Sequence, residues 1–344
     1  MPGGPVTGPA AWYGKEMEAS TAWIHVLSAA ELSELEGAHQ TVRAAGLDIA
    51  DVTRGSFALP TFGATLDRLR DDVLRGRGFV LIRGLPLERY SLEDAALLYW
   101  GIGCYFGRAV PQNGKGHLLG HVIDMGRHEH DTNARIYQTS ARQTYHVDTC
   151  DIVSLLCVQK AKTGGLSSLV SAVTIYNEIL ARRPDLLPVL FRLFDADRRG
   201  EVPPGRNPYY TAPVFAWHEG QLTSQLVRRY IESARRFPDL PALTREETEA
   251  LDLFEALADE FAMFMEFEQG DMQFVHNHQI LHDRTAFEDY PDRKRHLLRL
   301  WLCPPDGRPL PDSFADKYNG RIEIGDRGGM HIEGATPHVS LEPV

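Results

Sequence analysis

The sequence predicts a mainly β protein: a β-sandwich or jelly roll with helices packed around it. Two observations carry this. Strand-like runs cluster in 144–172 and 209–302, with helix-like runs before and between them, so the strict βαβ alternation of a parallel sheet is missing. No repeat with a period of about 20–50 residues divides the chain into a solenoid.

The elements follow in order. Residues 1–20 are rich in Gly and Pro and read as irregular. Residues 28–45 read as a helix, with Ser28 as N-cap and Glu31 placed for a capping box. A second helix covers 65–75 and leads into Phe79-Val80-Leu81-Ile82, a short apolar run that reads as a buried strand. Ser91 caps a third helix, with Asp94 at the capping-box position. Residues 107–140, rich in Gly, His and Asn, read as loop with short strands, and loops that long tend to be functional. Ile152 to Val158 is the clearest strand of the next section. Helices are expected over 173–183 and 184–194, a hairpin over 209–227 around Glu219-Gly220, and an amphipathic helix over 244–259 capped by Thr244. Phe261 to Phe267, Met272 to Leu281 and Leu297 to Leu302 read as strands, the last stopped by Pro304-Pro305.

Composition narrows the function classes. The chain has 344 residues, 43% hydrophobic and 24% charged, ordinary for a globular protein with a large core. A net charge of −11 argues against a nucleic-acid or anionic-membrane partner, because phosphate binding needs a basic face. Cys104, Cys150, Cys157 and Cys303 form no CxxC pair and read as reduced thiols. With no apolar leader and no run approaching the ~20 apolar residues of a membrane span, a cytoplasmic address is expected. A small-molecule substrate is the expected partner, and assembly as a homo-oligomer is left open.

Three clusters carry chemistry. In Tyr145-His146-Val147-Asp148, residues two apart on a strand face the same way, so His146 and Asp148 present an imidazole and a carboxylate to one point. One more ligand completes a 2-His-1-carboxylate facial triad, which suits iron(II) because three adjacent positions stay open. In Phe274 to Arg284, His276, His278 and His282 stand at even offsets and are expected on one strand face; periodicity does not say which is the ligand. In Arg293 to Leu302, Arg295 and Arg299 share a face of an otherwise apolar strand. A buried guanidinium needs an anion, and a carboxylate is the natural bidentate partner.

Taken together, these pieces resemble the taurine dioxygenase (TauD/TfdA) family of iron/2-oxoglutarate oxygenases, which includes clavaminate synthase-like enzymes. His146-Val147-Asp148, Gly164-Gly165-Leu166-Ser167, Leu281-His282-Asp283-Arg284-Thr285-Ala286-Phe287 and Arg295-His296-Leu297-Leu298-Arg299 carry the resemblance over roughly residues 75–305. It implies a double-stranded β-helix, a jelly-roll core. It implies that His146, Asp148 and His282 ligate iron(II) as the catalytic centre, and that Arg295 and Ser167 hold the distal carboxylate of the co-substrate 2-oxoglutarate. Arg299 falls where related enzymes place an arginine toward an anionic group of the primary substrate. The implied reaction consumes dioxygen, converts 2-oxoglutarate to succinate and carbon dioxide, and oxidises, most simply hydroxylates, an unactivated C–H bond of a small organic molecule. A zinc hydrolase or isomerase on the same triad would leave Arg295 beside Ser167 unexplained, and a vestigial binding module would be expected to have lost at least one ligand.

Two departures stand out: Asp283 where the family commonly has glycine, which raises the question of backbone geometry, and Ser167 where it often has threonine. The loop 107–143, with Gln112, Asn113, His117 and Arg142, is expected to form a lid or pocket wall, and Gln112 and Asn113 are expected to contact substrate. The expected divisions are a helical extension over 1–60 packed on the core, the oxygenase domain over 61–305 with helical and lid insertions, and a C-terminal extension over 306–344.

Overall fold

The computed structural model describes residues 1–127, 135–331 and 334–343. Among them, two sheets face each other. The larger runs in the order Ile24–Val26, Phe79–Arg83, Met272–His276, Ile152–Gln159, His296–Cys303 and Arg108–Ala109, with Leu119–Ile123 also paired to His296–Cys303. The smaller runs Met263–Met265, Ser167–Ser171, Ile280–Arg284 and Gln143–His146, antiparallel throughout. This is the jelly-roll core that the strand clustering predicts.

The period-2 alternation of each strand divides its side chains between two apolar layers. Val80 and Ile82, Met272 and Phe274, and Leu298, Leu300 and Leu302 point outward to a cluster built with the helices Ala29–Ala45, Phe62–Arg75 and Leu92–Gly103. Phe79 and Leu81, Val275, and Leu297, Trp301 and Cys303 point inward, between the sheets. Arg299 sits on that inward row, between Leu297 and Trp301. A third cluster covers the outside of the smaller sheet with the helices Ala172–Arg182 and Arg245–Phe261.

The helix starts follow the sequence. Ser28 and Glu31 form the expected capping box, as do Thr244 and Glu247, and Ser91 accepts from the backbone N–H of Asp94. The hairpin Phe215–His218 with Gln221–Ser224 turns on Glu219 (φ 47°) and Gly220 (φ 76°), the two positive φ angles that a type I′ turn requires. The four cysteines are unpaired, and three of them are buried. Among the described residues, no helix is long and apolar enough to cross a membrane.

Some boundaries differ from expectation. Met272 to Leu281 is not one strand. Asn277, His278 and Gln279 form a turn, in which the N–H of Gln279 donates to the carbonyl of His276 at 3.1 Å, and the chain crosses there from the larger sheet to the smaller. His276, His278 and His282 therefore do not share a strand face. The second helix expected over 184–194 is one turn, Leu187–Leu190, because Leu193–Asp197 pairs instead with Tyr209–Pro213. That pairing also shortens the expected 209–227 hairpin. The helix before residue 263 runs on to Phe261, leaving only Met263–Met265 as strand.

Both terminal segments are built into the body of the protein. Ile24–Val26 extends the larger sheet in parallel with Phe79–Arg83. In the C-terminal segment Arg308, Lys317 and Arg327 are buried, and Arg327 donates to Asp151.

Candidate active site

The register of the smaller sheet assembles the site. His282 lies directly opposite His146 across the antiparallel pair Ile280–Arg284 and Gln143–His146. Opposed residues have Cβ atoms about 5 Å apart, and here the two imidazole centroids are 4.1 Å apart. Asp148, two residues beyond His146, turns back to the same point, with its Oδ2 3.9 Å from His282 Nε2. One ligand atom from each of His146, Asp148 and His282 lies within 4.8 Å of the others.

The surroundings prepare these groups for a cation. His146 Nδ1 lies 2.8 Å from the carbonyl of Thr144, so Nδ1 carries the proton and donates it there, leaving Nε2 as the lone-pair atom. That Nε2 accepts from Gln143 Nε2 at 2.7 Å. Burial holds both imidazoles below the ordinary histidine range, His282 at about 3. Burial alone would raise Asp148, but Arg299, the two imidazoles and the Trp301 indole N–H outweigh it and hold the carboxylate below its usual range. Two neutral imidazoles and one anionic carboxylate form the donor set of a facial triad.

Two cavities meet at this point. A small one of about 40 Å³ runs between the sheets and is lined by His146, Asp148 and His282 together with Ser167, Arg284, Arg295 and Arg299. Arg295 and Ser167 are both buried. Arg295 NH2 donates to the carbonyl of Gly165 at 3.3 Å, while its NH1 has no partner among the described residues. A buried guanidinium with an unspent donor, sharing one small cavity with a hydroxyl and the triad, has the chemistry to take one end of a dicarboxylate whose other end would reach a metal held by the triad.

The larger cavity, about 410 Å³, opens above the triad. Among the described residues, its wall carries eight arginine or lysine side chains and three carboxylates, in a protein whose net charge is −11. Several of these arginines have carboxylate partners: Arg198 pairs with Asp316, Arg228 with Glu255 and Arg135 with Glu201. Lys317 is different. It is buried, and its ammonium donates to the neutral Gln225 side chain.

Most residues singled out in the sequence converge here. Gln112 and Asn113 line the larger cavity, but the Gln112 amide is committed: Nε2 donates to the carbonyls of Leu118 and Arg299, and Oε1 accepts from Arg299 Nε. Gln112 therefore orients Arg299, whose guanidinium lies over the rings of Tyr137 and Trp301 and reaches Asp148 Oδ2 at 3.3 Å. Arg142 is in the same wall, paired with Asp283 at 2.8 Å. His117 packs edge-on against His338 and lines neither cavity. Residues 128–134 of the expected loop lie outside the described residues. Asp283 has no positive φ and pairs in register with Ser168, while on the other side the pairing with Gln143–His146 shifts register between His282 and Arg284. His278 bonds Asp151 at 2.8 Å, away from the triad.

Sequence reasoning missed Trp301, Gln143, Arg284 and Lys317. Trp301 and Arg284 carried a readable signal, each lying two residues from a chosen one, Arg299 and His282, on the same strand. Lys317 carried none, since its segment adds nothing to the strand pattern.

A jelly-roll barrel that gathers two imidazoles and a carboxylate around one point, with a buried cation farther into the barrel, defines the mononuclear non-haem iron oxygenases. The chain belongs to the taurine catabolism dioxygenase TauD, TfdA family, whose pattern it matches over residues 42–301. It is 33% identical over 321 residues to the FR-33289 synthase of Streptomyces rubellomurinus, covering 90% of this chain and 94% of that one. It is 29% identical over 316 residues to a taurine hydroxylase-like protein of Stachybotrys chartarum, covering 86% and 81%. Its fold matches that of asparagine oxygenase, solved with Fe(II), 2S,3S-3-hydroxyasparagine and succinate, with a TM-score of 0.65 at 18% identity over 81% of this chain and 93% of that one. The protein is a 2-oxoglutarate-dependent non-haem iron dioxygenase that uses Fe(II), 2-oxoglutarate and dioxygen.

Proposed function

We propose that His146, Asp148 and His282 hold the iron, that Arg295 and Ser167 hold the distal carboxylate of 2-oxoglutarate, and that the larger cavity takes a small anionic substrate. One observation carries the first two assignments: a single narrow cavity is lined at once by the triad and by Arg295 and Ser167. The third rests on the cationic wall, above all Lys317 and Arg299, in an acidic protein.

Bound there, iron(II) with 2-oxoglutarate and dioxygen supplies the oxidant for C–H hydroxylation, with succinate and carbon dioxide as the other products. The protein's part is placement. Trp301 and Arg299 hold Asp148, and Thr144 holds the tautomer of His146. Val153, Leu155, Phe267 and Leu297 wall the inner cavity and keep water from it. The anchor for the anionic group in the outer cavity fixes which substrate carbon faces the triad. The unpaired thiols support a cytoplasmic address, and the net negative charge argues against nucleic acid as substrate.

The test is spectroscopic. Anaerobic protein given Fe(II) and then 2-oxoglutarate should develop a weak visible charge-transfer band, and His146→Ala should abolish it. Folded, iron-loaded protein with no band would overturn the assignment. A screen for succinate release should then favour phosphorylated, sulfonated or carboxylated small molecules over their neutral analogues.

A further inference from the structure

We infer that Arg284 is a second cation for the distal carboxylate of 2-oxoglutarate, acting beside Arg295 and making the co-substrate site selective for dianionic 2-oxo acids. The inference rests on the placement of 2-oxoglutarate proposed above.

On the strand Ile280–Arg284, residues 282 and 284 are two apart, so both side chains project from the same face, roughly 7 Å from each other along the strand. That span is comparable with a five-carbon keto acid reaching from the triad into the barrel. Across the sheet, Arg284 lies directly opposite Ser167. Its guanidinium and that of Arg295 both line the narrow cavity, and both lie against the ring of Phe287, at 4.8 Å and 5.2 Å from its centroid.

The two arginines share an unusual condition. Both are buried, at 7% and 4% exposure. Arg284 NH2 donates to the carbonyl of Ala141, while its Nε and NH1 have no partner among the described residues, and neither has NH1 of Arg295. The neighbouring acids are engaged elsewhere. Asp283 faces Arg142 at 2.8 Å, and Asp289 accepts from the backbone N–H of Arg295 at 2.6 Å. Two guanidiniums sharing one small cavity whose carboxylates, Asp148 and Asp283, are bound to other partners repel each other and leave desolvated donors unspent, a costly arrangement unless an anion completes it. One carboxylate has two oxygens and about four acceptor sites, enough for both.

The test compares two chelating acids on the anaerobic Fe(II) protein, followed by the visible charge-transfer band: 2-oxoglutarate, and 2-oxopentanoate, which keeps the chelating end and lacks the distal carboxylate. Arg284→Met should weaken 2-oxoglutarate at least tenfold and leave 2-oxopentanoate within about twofold of the parent protein. Arg284→Lys, which keeps the charge, should recover part of the loss. Arg284→Lys and Arg284→Gln carry the comparison if the Met variant does not fold. If Arg295→Met is impaired for 2-oxoglutarate while Arg284→Met binds as the parent does, the role of Arg284 is wrong and the site stands. An equal loss of both acids by Arg284→Met, with iron still bound, also overturns the inference, since it would mark a purely structural residue. If neither arginine variant changes 2-oxoglutarate binding, the placement of the co-substrate itself fails.

Discussion

Trp301 donates its indole N–H to Asp148 Oδ2 at 2.8 Å, from the strand that also carries Arg299. The sole carboxylate of the triad is thereby fixed by a rigid ring from the opposite sheet, through the same oxygen that lies 3.9 Å from His282 Nε2. Trp301→Phe keeps the ring and removes the donor. Outer hydrogen bonds of this kind are worth about 10–100-fold in metal affinity. Competition against a chromophoric chelator should show Fe(II) bound about tenfold more weakly, and unchanged affinity would mean that Trp301 does not support the metal site.

Gly165 has φ +69°, and a Cβ built there would meet Arg295 Nε at 2.8 Å. Gly165→Ala should therefore do two things: cost about 1–2 kcal/mol of stability through the left-handed backbone, and displace the Arg295 guanidinium. A lower denaturation midpoint together with weakened 2-oxoglutarate binding is expected. Loss of stability with intact 2-oxoglutarate affinity would mean that Arg295 does not hold the co-substrate.

Lys317 lies in the larger cavity without a carboxylate partner, and burial pushes its amine down to about 7. Lys317→Met should raise the Michaelis constant for an anionic substrate at least tenfold, the usual scale for a hydrogen bond to a charged group. The Michaelis constant for the co-substrate should stay the same. A matching rise in both would point to damage in the barrel and not to a substrate anchor.

Stability should fall on acidification. Burial holds His278 and His296 at about 4 and keeps His276 well below its ordinary value, against roughly 6.5 in the unfolded chain. Below that value the unfolded state binds more protons than the folded one. Each histidine then removes up to about 1.4 kcal/mol per pH unit as pH drops from ~6.5 toward ~4. Urea midpoints of metal-free protein at pH 7.5, 6 and 5 should decline in that order, and a flat series would show that these imidazoles are not held neutral.

The strand core and the pairing of His146 with Asp148 were legible because period-2 patterning and the HxD spacing are local signals, whereas the choice of His282 came from the family pattern. Arg295 and Ser167 became legible only through the family pattern. What escaped depends on long-range geometry. The turn at Asn277–Gln279 hides inside a continuous buried run, so His276, His278 and His282 read as one face when His276 ends one sheet, His278 lies in the turn and His282 sits in the other sheet. The short strand Leu193–Asp197 read as helix because its partner, Tyr209–Pro213, is not visible locally. Lys317 reaches the cavity only because the segment after Pro305 folds back over the barrel, and no local pattern announces that.

An anaerobic crystal structure of the protein with Fe(II) and 2-oxoglutarate would decide whether triad and arginine form one site. One iron bonded to His146, Asp148 and His282, chelated by the keto acid, with the distal carboxylate on Arg295, is the expected result. Iron held by other residues, or a co-substrate turned away from Arg295, would refute the assignment.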